Sequence, residues 1–176
     1  MNTGIEKAKP LNVLFLCKGN SARSIMAEAI LNHHGQGSFQ AFSAGSDPKS
    51  AVNPYALTAL HNAGFATAGL RAKSWDEFTG VQAPDLDFVF TLCDSIAGEI
   101  CLDWPGQPLG IHWALPDPAA VEGGEVMKHL AFADTFRMLS NRIGLFTALR
   151  SSSLDRLSLQ SRFAGISGSM AESAAA

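Results

Sequence analysis

The segment richest in chemistry in this 176-residue chain reads Cys17-Lys18-Gly19-Asn20-Ser21-Ala22-Arg23-Ser24. A thiol and a guanidinium are separated by five residues. Arginine offers a planar, permanently charged fork that suits a tetrahedral oxyanion. An apolar run precedes the segment and a helical pattern follows it, so unpaired backbone N–H groups at the helix start point into the loop. Successive N–H groups in such a turn form an anion nest. In that positive field the Cys17 thiol is expected to ionise near neutral pH and act as a nucleophile toward a bound oxyanion. Ser24 is placed to donate a hydrogen bond to the thiolate, and Asn20 to tie the loop to itself. Lys18, Gly19, Asn20, Ser21, Ala22, Arg23 and Ser24 are thus the expected oxyanion-binding residues. The paired glycines followed by Lys and Ser/Thr of a nucleotide phosphate loop are absent.

Two further cysteines lie downstream, Cys93 and Cys101, eight positions apart. An odd, sparse cysteine count argues against a disulfide scaffold and for a reducing compartment, so a cytoplasmic protein is expected. A metal site built from the cysteines and His112 lacks any closely spaced ligand pair. The remaining histidines read as structural or exposed, with His33-His34 at a helix end that favours cations. Asp117-Pro118 sits in a proline-stiffened loop, where Asp117 can serve as general acid toward a bound oxyanion.

Residues 11–16 form a near-continuous apolar run, as in a strand buried on both faces. Residues 22–34 read as a helix with Met26, Ala29, Ile30 and His33 on one face and Gly35 as its stop. Strands follow at 39–43, 87–92 and 109–113. Asn53-Pro54 opens a second helix, with Asn as N-cap and Pro at the first helical position. Residues 75–78 suit a single turn. The longest helix spans about 124–150, with Val126, Leu130, Ala133, Phe136, Leu139, Ile143, Phe146 and Leu149 at steps of three and four. Residues 154–163 add a last helix. The expectation is a single three-layer α/β domain over 11–164: a parallel sheet flanked by helices on both faces, with a lead-in at 1–10 and a flexible tail at 165–176. Ligands of such folds sit at the carboxyl ends of the strands, which is where Cys17, Cys93 and Asp117 fall.

Hydrophobic residues make up 47% of the chain and charged residues 16%, which excludes a mostly disordered polypeptide. The net charge of −3 lacks the basic footprint of a nucleic-acid binder. No apolar run is long enough for a membrane span, and no signal-peptide pattern is present.

The stretch Phe15 to Ser24, with Met26-Ala27-Glu28 after it and Ser43-Ala44-Gly45 after the second strand, resembles the low-molecular-weight protein tyrosine phosphatase fold, and within it the arsenate reductases. The similarity covers about residues 11–150 and implies a four-stranded parallel sheet. It also implies a cysteine relay. Cys93 attacks the arsenic-bearing Cys17, arsenite leaves, and Cys101 then takes over Cys93 as a second disulfide that an external thiol reductant reduces. Thioredoxin or a glutaredoxin/glutathione system would be that partner, and no tightly bound cofactor is implied. If residues 95–100 are helical when reduced, Cys93 and Cys101 stand roughly 12 Å apart. A disulfide needs α-carbons at about 4.4–6.8 Å. Oxidation is therefore expected to rearrange residues 93–106, eased by Gly98. Some members of the family bind potassium, and Asn20, Glu28, Ser43 and Asp76 match those ligands by type and approximate spacing.

Three departures bear on function. The reductases often carry Pro directly after the third cysteine, where this chain has Leu102. The phosphatases typically carry an aromatic residue after Asp-Pro and a second cysteine in the loop, where this chain has Ala119 and Ala22. The last two favour arsenate reduction over phosphate-monoester hydrolysis through a phosphocysteine. A non-enzymatic oxyanion or redox sensor is the third reading, and it predicts binding and oxidation without turnover.

Overall fold

Strand β1 (Leu11–Cys17) forms where the sequence is continuously apolar, and Val13 to Leu16 are fully buried. It lies between β2 (Phe39–Gly45) and β3 (Phe88–Thr91), with β4 (Leu109–His112) on the far side of β3. All three pairings are parallel, giving the order β2-β1-β3-β4. The computed structural model describes residues 9–97 and 104–150. Cys101, Gly98, Leu102, the expected helix at 154–163, the tail at 165–176 and most of the lead-in lie outside the described residues.

Helix α1 (Arg23–His34) follows β1 and ends at Gly35, as its sequence signals require. Helix α2 (Pro54–Asn62) begins at Asn53, whose side chain accepts from the Tyr55 N–H. A 3₁₀ turn spans Trp75–Phe78. The one-turn helix α3 (Asp94–Ala97) follows β3, and α4 (Glu125–Arg150) closes the described chain.

Period-2 alternation along β1 divides the core. Val13 and Phe15 face a large cluster with Met26, Ile30, Phe90, Trp113, Ile143 and Phe146, covered by α1, α2 and α4. Its centre is aromatic: the Phe90 ring lies 4.3 Å from Trp113 and 5.2 Å from both Phe15 and Phe146. Leu14 and Leu16 face a smaller cluster with Cys17, Phe78, Val89, Cys93, Ile96 and Trp104. Helical cover on both faces is thus observed, but unequally. The second face is closed by a 3₁₀ turn, one turn of α3 and the chain around Trp104.

Two amphipathic assignments differ from expectation. His33 is exposed and packs its ring 4.5 Å from Phe65 instead of entering the core. In α4 the stripe starts later than the periodicity indicates: Val126, Leu130 and Ala133 are exposed, whereas Phe132, Thr135, Leu139, Arg142, Ile143 and Phe146 are buried. Those three side chains line an open groove between the first turns of α4 and the end of α2, so they are not enclosed. Among the described residues no helix is long and apolar enough to cross a membrane.

Candidate active site

Cys17 is the last residue of β1, paired in register with Gly45 of β2, and its side chain is 3% exposed. The loop that follows turns its carbonyls outward. Asp47, Lys49 and Asn53 donate their backbone N–H groups to the oxygens of Lys18, Gly19 and Ser21 at 3.0, 2.9 and 2.8 Å. The loop amides are left to face inward, and the Asn20 and Ser24 N–H groups point at the Cys17 sulfur. Asn20 turns the loop through the left-handed region at φ 40°, which Asn tolerates better than most residues. Ala22 occupies the N-cap of α1 and makes no side-chain cap, so the positive end of the helix stays open to an anion.

A hydrogen-bond chain orients the nucleophile. The Lys73 backbone N–H donates to Asn20 Oδ1 at 2.7 Å, which fixes the amide. Asn20 Nδ2 donates to Ser24 Oγ at 2.8 Å. That leaves the Ser24 hydroxyl hydrogen free to donate to Cys17 Sγ at 2.8 Å. Ser24 Oγ thus lies against the sulfur, and Asn20 links the loop to the backbone of residue 73.

The ionisation of Cys17 differs from expectation. Burial pushes the thiol above its ordinary value, and the Ser24 hydroxyl, the Ser24 N–H, Arg23 and the Asn20 N–H only partly pull it back. The loop field has the predicted sign, but the sulfur is buried and desolvation outweighs that field. Burial thus works against ionisation of Cys17, and the Ser24, Asn20 and Arg23 groups work for it.

Arg23 is buried at the start of α1. Its Nη1 donates to the Leu115 carbonyl at 2.9 Å and its Nη2 lies 3.0 Å from Asp117 Oδ2. Asp117 also accepts from the Ala119 N–H at 3.1 Å, capping the 3₁₀ turn Pro118–Ala120. A cavity of about 270 Å³ opens over the sulfur, lined by Cys17, the loop, Arg23, Asp117 and Ala119, with Asp47 and Lys49 at its edge.

Residues 12–156 match the family described as Low molecular weight phosphotyrosine protein phosphatase. The chain belongs to this family. An arsenate reductase of Halalkalibacterium halodurans is 31% identical over 134 residues, covering 76% of this chain and 93% of the relative. Among solved structures, an arsenate reductase in its phosphate-binding state superposes with a TM-score of 0.65 at 26% identity, over 78% of this chain and 97% of that one. A thioredoxin-dependent arsenate reductase from Corynebacterium glutamicum gives 0.59 at 27% identity, over 83% of this chain and 65% of that one. The chain stands with the arsenate reductases of the phosphatase fold.

Within this family member, Cys93 is 6% exposed and lies in the same small core cluster as Cys17. Both are free thiols. The Ser95 hydroxyl donates to Cys93 Sγ at 3.3 Å. Thr91 and Asp94 flank Cys93 on either side and are bridged by His112, whose Nδ1 and Nε2 lie 2.7 and 2.9 Å from Thr91 Oγ1 and Asp94 Oδ1. Sequence reading assigned His112 no role here, because the link needs β3 and β4 side by side.

Glu28 and Ser43 converge on the ammonium of Lys73, while Asn20 Oδ1 takes the Lys73 backbone N–H. The Lys73 Nζ lies 3.1 Å from Glu28 Oε2 and 3.4 Å from Ser43 Oγ. Asp76 is exposed and takes the Ser74 hydroxyl at 2.8 Å. Lys73, Asp47 and Lys49 escaped sequence reading. A lone lysine gives no periodic signal, and only the closing of residues 46–53 over the loop brings Asp47 and Lys49 to the rim.

Proposed function

We propose that the protein reduces arsenate to arsenite through a covalent Cys17 adduct. The observation that carries this reading is the sharing of one small core cluster by Cys17, at the floor of the oxyanion cavity, and the second buried thiol, Cys93. Arsenate enters the loop, where inward amides and Arg23 hold its oxygens. The Cys17 sulfur attacks arsenic, and an oxygen leaves as water after taking a proton from Asp117. The Asp117 carboxylate takes the Cys17 proton as the S–As bond forms and passes that same proton to the departing oxygen.

Cys93 supplies the second sulfur. The Cys93 sulfur attacks Cys17 Sγ and its proton passes to an oxygen on arsenic; the S–As bond breaks, and the electron pair of that bond leaves with arsenic as arsenite. The product is a Cys17–Cys93 disulfide, and arsenic has gained two electrons. Cys101 then attacks Cys93, frees Cys17, and leaves a Cys93–Cys101 disulfide for an external dithiol. The Corynebacterium glutamicum neighbour is described as thioredoxin-dependent. A thioredoxin-type dithiol is accordingly the first donor to supply, with glutaredoxin and glutathione as the other. A reducing compartment such as the cytoplasm suits an odd, sparse set of three cysteines.

Phosphate-ester hydrolysis shares Cys17, Arg23 and Asp117, but Ala119 leaves the cavity wall without the aromatic side that would flank a phenyl ring. The deciding experiment counts thiols in reduced protein before and after arsenate, without reductant, with peptide mapping. The expected result is arsenate-dependent loss of two thiols, mapped to Cys17–Cys93 or Cys93–Cys101. Three surviving thiols together with turnover of an aryl phosphate through Cys17 would replace this reading with the phosphatase. Thiol loss without turnover when reductant is supplied would replace it with a sensor.

A further inference from the structure

Lys73 is buried, only 8% exposed, between β2 and α1. An ammonium has three N–H donors and no acceptor. Three oxygens receive them: Glu28 Oε2 at 3.1 Å, the Arg71 carbonyl at 3.1 Å and Ser43 Oγ at 3.4 Å. The Ser43 hydroxyl in turn donates to Glu28 Oε2. A carboxylate, a carbonyl and a hydroxyl are the donor set a hard cation such as potassium would take. Asn20 turns its Oδ1 to the Lys73 backbone N–H and away from the ammonium site, and the Asp76 carboxylate turns to Ser74. The four residues expected to hold potassium therefore do not fit that ion here.

We propose that the Lys73 ammonium is a built-in counter-cation that stands where a bound alkali ion would, and that it positions the Cys17 loop. The same residue carries both ends of the device. Its side chain neutralises Glu28 inside the fold, where an unpaired carboxylate is costly. Its backbone N–H starts the chain through Asn20 and Ser24 to the Cys17 sulfur. Fixing the ammonium fixes the backbone of residue 73, which also gives its carbonyl to the Gly45 N–H at 2.9 Å, opposite Cys17 in the sheet. Lys73 is a positioning residue, since it acts on the sulfur through Asn20 and Ser24. The inference rests on Cys17 as the reactive thiol and not on the identity of its oxyanion.

The test compares sodium and potassium chloride at equal ionic strength. Two quantities are read: melting temperature and the pH profile of Cys17 alkylation by iodoacetamide, followed by peptide mapping. Neither reading requires arsenate, so failure of the arsenate reading leaves the test intact. Wild type is expected to give the same values in both salts. Lys73→Met fills the space without charge, and its Cys17 profile is expected to move to higher pH in both salts, with alkylation near neutrality about tenfold slower. Lys73→Ala opens the space, and potassium, but not sodium, is expected to restore part of both readings. A potassium requirement in the wild type, or an unaltered Cys17 profile in Lys73→Met, overturns the proposal. If Lys73→Met does not fold, the wild-type salt comparison decides alone.

Discussion

At the scale of single residues, Cys17 sets two opposed demands. Catalysis wants a thiolate, and the fold buries the sulfur. The sign of the resulting stability effect follows from linkage. Burial raises the folded value above the ordinary 9.0. Below that pH the thiol is protonated folded or unfolded, and its stability contribution is fully present. As pH rises past 9.0 the unfolded chain ionises first, and stability drains away until the folded thiol ionises too. Melting temperature measured against pH should therefore fall more steeply on the alkaline side for wild type than for Cys17→Ala, and parallel curves would show that burial does not govern the sulfur. Ser24→Ala removes the donor that most strongly opposes burial. Its alkylation profile at Cys17 should move to higher pH, slowing reaction near neutrality by about tenfold, the effect of roughly 1.4 kcal/mol. The rate reached at high pH should be unchanged, because the full thiolate has the same access.

At the scale of elements, the loop holds its shape because β2 ends against it. Gly45 packs so closely that an added Cβ would lie 2.8 Å from the Cys17 carbonyl oxygen and 2.9 Å from the Asn20 nitrogen, and it would also meet the Lys18 carbonyl. Those are backbone atoms of the anion nest and cannot step aside singly. Gly45→Ala should abolish phosphate binding measured by calorimetry while the far-ultraviolet dichroism of the sheet persists. Gly80→Ala, where an added Cβ meets nothing, is the control and should bind as wild type. What could be read from the chain follows the same division. Cys17, Asn20, Ser24 and Arg23 were legible because the nest is local: a strand, a turn and a helix start in consecutive residues. Asp117 was legible because proline and the strand before it mark its loop. Lys73 was not, since Asn20 lies 53 positions away and only the folded sheet brings them together. The α4 stripe was misplaced at its start for a related reason. Periodicity records which side chains share a face, not how far the opposing layer extends.

At the scale of the molecule, the unequal faces of the sheet separate stability from redox change. The large aromatic cluster around Phe90, Trp113 and Phe146 is closed by long helices, and truncating Phe146 there would cost about 3–5 kcal/mol. The small cluster holds Cys17 and Cys93 beneath one turn of α3, the 3₁₀ turn Trp75–Phe78 and Trp104. Fewer buried apolar side chains and a one-turn helix make this the side that opens with least free energy. A disulfide formed at Cys93 is expected to displace α3, whose Ile96 shares the small cluster with Cys93, and the Asp94–His112 contact with it. The larger face has no such coupling to sulfur. Amide hydrogen exchange after arsenate-driven oxidation should therefore quicken at residues 93–97 and 104–107, while the buried amides of α1 and α4 keep their protection. Uniform loosening of both faces would mean that the cysteine chemistry is wired into the whole core and that the two faces do not divide stability from redox change.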